Sequence, residues 1–122
     1  MHMERRKKRS EIVREALENQ LEASATRAGF GSMVLADEQG LIVAAHKPTE
    51  ELEEVAAIST GLTHAKQLWQ GTVRTAFGGL RISVAKVQAD FGYLYLCATG
   101  GLTSSVEKEL VVSGRGVCRI LA

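Results

Sequence analysis

At 122 residues, 45% hydrophobic and 24% charged, the chain has the length and composition of one globular domain able to bury a core without covalent staples. A formal net charge of +1 argues against a general nucleic-acid binder, which needs a large basic excess. The two cysteines, Cys97 and Cys118, fall in apolar runs at no metal-ligand spacing, so both are expected to be buried reduced thiols, and without a membrane-length apolar run or signal-peptide core the expected location is the cytoplasm.

Residues 4–27 read as a long helix. Ile12, Val13, Ala16, Leu17, Gln20, Leu21 and Ser24 recur at helical spacing, with Glu11, Arg14, Glu15, Glu18 and Glu22 on the other side. A stripe this narrow belongs to a helix that covers another element. Arg5-Arg6-Lys7-Lys8-Arg9 mark residues 1–9 as a basic start ahead of a single domain, 10–122. A solvated terminus is the favoured reading of such a run, ahead of a contact with an anionic surface, whether membrane lipid or acidic partner.

Gly29-Phe30-Gly31 ends the helix and opens a β-hairpin, Gly31–His46, whose two apolar runs flank Asp37-Glu38-Gln39-Gly40. Apolar residues at nearly every position fit strands covered on both faces. Lys47-Pro48-Thr49 stops the second strand. Thr49 is a suitable N-cap, and Glu50, Glu51, Glu53 and Glu54 supply the negative charge that a helix dipole favours. This second helix is expected to reach about Gln70, with Leu52, Val55, Ala56, Ser59, Leu62, Ala65 and Trp69 on one side and Gly71 closing it.

Three strands follow. Thr72–Phe77 sets Val73, Thr75 and Phe77 against Arg74 and Ala76; Leu80–Gln88 sets Leu80, Ile82 and Val84 against Arg81 and Ser83, with a phase slip before Val87 that predicts a bulge. Gly78-Gly79 is expected to turn between them, and Asp90-Phe91-Gly92 to lead into Tyr93–Thr99, a strand apolar on both faces and hence central. Gly100-Gly101 precedes a capping box, Ser104-Ser105-Val106-Glu107, and a third helix that buries Val106, Leu110, Val111, Ser113, Gly114, Val117, Cys118 and Leu121. Gly114 and Gly116 either allow a close helix approach, the favoured reading, or break the helix near Ser113.

Little in the chain carries chemistry. Asp90-Phe91-Gly92 matches a kinase tripeptide, but no catalytic loop accompanies it. There is no phosphate-binding G-x-x-x-x-G-K-[ST] loop, and no serine or cysteine on a nucleophile elbow. His2, His46 and His64 are scattered, so neither metal nor cofactor is expected, and the chain reads as a non-enzyme.

Asp37-Glu38-Gln39-Gly40-Leu41-Ile42-Val43-Ala44-Ala45, followed by the alanine-rich Glu50–Ser59, resembles the Roadblock/dynein light-chain family. The order of elements agrees over roughly residues 10–121. The resemblance implies an α/β (α+β) fold: a five-stranded antiparallel sheet in the order second, first, fifth, fourth, third, sandwiched between the second helix and the first and last helices. It also implies a homodimer that binds a Ras-like small GTPase as activator or scaffold, with no catalytic residues of its own.

The edge strand and second helix would join the two copies, with Val73, Thr75, Phe77, Leu62 and Trp69 as interface candidates. Glu53, Ala57, Thr60, His64 and Gln67, by helical spacing, would line a GTPase-binding face. Arg74 and Arg81 are the nearest candidates for an arginine supplied in trans, although repositioning of the GTPase's own residues is the favoured route. A structural adaptor without GTPase binding and a small-ligand sensory domain of profilin-like fold remain as alternatives.

Overall fold

The computed structural model describes residues 2–64, 67–101 and 105–122, with side chains from Lys8 onward. The elements run α1 (His2–Ala28), β1 (Phe30–Ala36), β2 (Ile42–His46), α2 (Glu50–Leu62), β3 (Leu68–Thr75), β4 (Gly78–Ala89), β5 (Gly92–Gly100) and α3 (Val106–Leu121). The strands form one antiparallel sheet in the order β2-β1-β5-β4-β3, as the resemblance implies.

Period-two alternation divides the core in two. Met33, Leu35, Ala85, Val87, Leu94, Leu96 and Ala98 face α1 and α3, meeting Leu17, Leu21, Leu110 and Val117. Val34, Ala36, Ile82, Val84, Tyr95 and Cys97 face α2, meeting Leu52, Val55 and Ala56. The central strands β1 and β5 are apolar throughout because both faces are covered. The same fact removes the expected bulge before Val87: β4 pairs with β5 in continuous register from Ile82 to Ala89. The apparent phase slip is a second buried face. The irregularities lie in β1 instead, between Phe30 and Ser32 against β5 and between Leu35 and Ala36 against β2.

The Asp37 carboxylate builds the β1–β2 turn, accepting from the backbone N–H of Gln39 at 2.9 Å and of Leu41 at 3.0 Å. Thr49 caps α2 as expected, its Oγ1 accepting from Leu52 N at 3.3 Å. The expected capping box on α3 is different: Ser105 is the N-cap and makes no side-chain cap bond, while Ser104 lies outside the described residues.

Helix α3 is continuous through both glycines. A Cβ on Gly116 would stand 2.4 Å from Gln20 Oε1 of α1, and one on Gly114 would stand 3.3 Å from Val87 Cγ2, so the close-approach reading holds. Arg27 and Glu109 join the same two helices with a 2.8 Å ion pair. Two residues expected in the buried stripes are exposed, Ile12 at 65% and Val111 at 51%, because each lies at the margin of its helix's contact arc. Cys97 is buried, whereas Cys118 is only half-buried, its Sγ donating to the Gln88 carbonyl at 3.3 Å.

The largest departure from expectation is the boundary between α2 and β3. The helix stops at Leu62 with Thr63 as C-cap, and β3 begins at Leu68, so Trp69 and Gly71 belong to the strand; Ala65 lies outside the described residues. Trp69 pairs with Val84, and its indole folds over Gly71, where a Cβ would meet Cη2 at 2.8 Å. An aromatic residue on a half-buried sheet surface outweighs a helical spacing that extends only to Trp69. The hairpin turn correspondingly falls on Ala76-Phe77, with Thr75 opposite Gly78, and not on Gly78-Gly79.

Candidate interaction surfaces

Among the described residues helix α2 alone covers one face of the sheet, so its outer side is the broadest element available to a partner on that face. Glu53, Ala57 and Thr60 are all exposed there at spacings of a helical face. The helix is held at two points. A Cβ on Gly40 would stand 2.7 Å from Ala57 Cα, and Thr60 Oγ1 donates to the Glu38 carbonyl at 3.4 Å, which seats the β1–β2 turn on the middle of α2. Glu54 Oε2 accepts from Ala76 N at 3.1 Å, which seats the β3–β4 turn on its first half. Glu54 was legible only as one of an acidic cluster; nothing in the local sequence marks its partner 22 residues later.

The other two residues expected on this face do not lie on the helix. His64 is exposed just past the C-cap, its N–H bonded to the Gly61 carbonyl at 3.4 Å. Gln67 immediately precedes β3, its carbonyl accepting from Lys86 N at 2.8 Å, and it lines a cavity of about 800 Å³ shared with Leu110 and Arg115 of α3 on the opposite side of the sheet. The early end of α2 separates both from Glu53, Ala57 and Thr60.

Along β3, one edge is bonded to β4, and the other has no strand partner among the described residues. Leu62, Trp69 and Val73 come together at this border of the α2-side core: Val73 is buried in it, and Leu62 and Trp69 are half-buried against it. Thr75 is half-buried, and its hydroxyl is engaged in the turn, donating to the Gly78 carbonyl and accepting from Phe77 N, both at 3.1 Å. Phe77 is not in the strand. It stands in the turn beyond it, 60% exposed. Arg74 and Arg81 are exposed, and alternation from Val73 and Ile82 puts both on the sheet face opposite α2.

Burial pushes the Cys97 thiol up to about 12, against a smaller opposing effect of the Ser59 hydroxyl, and this thiol is enclosed between α2 and β5. Among the described residues, no three His, Cys, Asp or Glu side chains cluster as metal ligands, and no helix is long and apolar enough to cross a membrane.

No family model matches the chain, and no curated protein matches it by sequence. Solved structures do match. The gliding protein MglB from Thermus thermophilus superimposes with a TM-score of 0.64 at 17% identity, over 88% of this chain and 90% of that one. An MglB in a tetrameric arrangement gives 0.66 at 15% identity, over 88% and 89% of the two chains. Myxococcus xanthus MglB gives 0.60 at 10% identity, over 88% of each. With its sheet order and its disposition of helices, the chain has the Roadblock-like α/β fold of these MglB proteins.

Proposed function

We propose that this chain is a non-enzymatic regulator or scaffold of a Ras-like small GTPase and acts as a homodimer. The observation that carries the reading is an MglB-like fold combined with an unpaired β3 edge bordered by half-buried Leu62 and Trp69. An open edge strand without proline or lysine is a template for another strand, and a second copy is the partner always present. That one MglB structure is a tetrameric arrangement supports self-association in proteins of this fold.

Pairing β3 with its copy would set two α2 helices side by side over a continuous sheet. The Glu53, Ala57 and Thr60 faces would then form one broad surface, held firm by the turns seated on each α2. The switch segments of a Ras-like GTPase are ordered by the γ-phosphate and released on hydrolysis, so a rigid partner that grips them distinguishes the two states. A ~100-fold preference needs only about 2.7 kcal/mol of differential binding. Arg74 and Arg81 lie on the far side of the sheet from α2, which favours repositioning of the GTPase's own groups over an arginine supplied in trans.

The test is titration of the chain with Ras-like small GTPases from the same genome, in GDP and GTP-analogue forms, followed by single-turnover hydrolysis. State-dependent binding is expected, weakened by Glu53→Arg. Equal affinity for both forms with an unchanged hydrolysis rate would leave a structural adaptor.

A further inference from the structure

Two turns meet at one end of the sheet. Glu38 in the β1–β2 turn accepts from Tyr93 N, just after the β4–β5 turn, at 3.3 Å. Leu41, 66% exposed, stands opposite Asp37 at the base of the first turn, and Phe91, 69% exposed, stands in the second. Both are presented on ordered backbone: Asp37 closes the first turn with its own carboxylate, and Ala89 pairs with Gly92 across the second. Packing within one chain has no use for two large apolar side chains in this position.

Helix α1 leaves the domain at the same end. Val13 is the first of its described side chains to pack on the core, and it shares a cavity of about 550 Å³ with Val43 of β2 and Leu121 of α3. Val43 lies two residues from Leu41. From Val13 the helix runs on to His2, a further 11 residues (13 − 2) or about 16 Å of helix. The sequence places Arg5, Arg6, Lys7, Lys8 and Arg9 along this extension. Lys8 and Arg9 are exposed, and so is Ile12. Cations in the first turns of a helix stand at the positive end of its dipole and destabilise it. Helix α2 has the opposite arrangement, with Glu50, Glu51 and Glu53 in its first turn. The basic run therefore adds nothing to the stability of the helix start, and its charge is complementary to an anionic surface.

We propose that this end of the domain is a contact surface for an anionic lipid bilayer, with Leu41 and Phe91 entering the headgroup region while the cations of α1 meet the lipid phosphates and carboxylates. A bilayer suits these features better than an acidic protein does. Exposed apolar side chains on separate turns insert into a fluid surface, whereas a folded partner would need two matching pockets. Asp37, Glu38 and Asp90 also stand at this end and oppose an anionic surface, so binding depends on the cations of α1 outweighing them.

The test is co-sedimentation of the full chain with vesicles of phosphatidylcholine alone and of phosphatidylcholine with about one-third phosphatidylserine, at low and high salt. Binding is expected to the phosphatidylserine vesicles only and to fall with salt. It should weaken about tenfold or more in Lys8→Glu/Arg9→Glu and in Leu41→Asp/Phe91→Asp. Circular dichroism checks that the variants fold, and Leu41→Ser/Phe91→Ser replaces the aspartates if they do not. Failure to bind phosphatidylserine vesicles at low salt, equal binding to neutral vesicles, or undiminished binding after the Leu41 and Phe91 changes overturns the proposal. So does a wild-type chain that ignores vesicles but loses an oligomer when Leu41 and Phe91 are replaced, since these side chains then join copies of the chain.

Discussion

Gly40 lies against the backbone of Ala57, so close that a Cβ at position 40 would stand 2.7 Å from Ala57 Cα and 3.1 Å from the Ala56 carbonyl oxygen. Gly40 also has φ of +80°, where side chains other than glycine are disfavoured. Gly40→Ala combines a strained backbone with a clash against helix backbone that cannot swing aside, and a loss of about 3 kcal/mol is expected. Urea denaturation followed by circular dichroism measures it. Because this contact seats the turn on α2, the variant should also weaken whatever binds the face of Glu53 and Thr60.

Phe77 offers a clean probe of self-association. It stands exposed in the turn beyond β3, so Phe77→Asp should leave the melting temperature of the monomer within a few degrees of wild type. If β3 pairs with its copy, the same change should lower the mass seen by light scattering from dimer to monomer. A wild-type chain already monomeric at micromolar concentration would end the dimer reading.

Cys97 predicts a pH dependence. Its folded-state pKa of about 12 lies above the ordinary thiol value, so between pH ~9 and ~12 the unfolded chain releases a proton that the folded chain keeps. The stability linked to this group is fully present below pH ~9 and is lost as pH rises through the folded value, by at most about 1.4 kcal/mol per pH unit. Thermal melts between pH 7 and 10.5 should fall more steeply for wild type than for Cys97→Ala. Under native conditions a thiol reagent should modify Cys118 first.

The Arg27–Glu109 pair joins α1 to α3 at the surface, with Arg27 half exposed. Arg27→Ala should therefore cost no more than about 1 kcal/mol, with the loss shrinking at high salt. A cost of several kcal/mol in urea denaturation would mean that leaving the largely buried Glu109 unpaired outweighs the exposure of Arg27.

Much of this fold could be read in the chain because local and long-range preferences agree. Thr49 and the glutamates after it mark the start of α2 with both a cap and a favourable dipole, and the structure begins the helix there. The doubly apolar Tyr93–Thr99 reads as central and pairs on both sides. Where the readings fail, a distant partner decides. Leu62 to Trp69 continues a helical spacing, yet Trp69 is claimed by Val84 across the sheet. Val87 looks out of phase until α3 supplies a second face for it. Of the five residues read onto one helix side, Glu53, Ala57 and Thr60 lie on α2, whereas His64 and Gln67 lie beyond its end. Neither Glu54 bonding Ala76 nor Glu38 bonding Tyr93 has a local sequence signature, since each depends on how separate turns are brought together.

The split of the core across β5 bears on how this chain can evolve. Leu94, Leu96 and Ala98 serve one compartment, and Tyr93, Tyr95 and Cys97 the other. Deleting a single residue within β5 would exchange the two sets, forcing tyrosine rings into space shaped for leucine and alanine and leaving leucines under α2. Length change is thus forbidden in the middle of the sheet, while substitution between apolar residues of like volume is tolerated. The turns carry no such inversion penalty. Lineages of this fold are accordingly expected to differ in loop length and surface chemistry while β5 keeps its residue count, a pattern compatible with superposition over 88% of the chain at 10–17% identity.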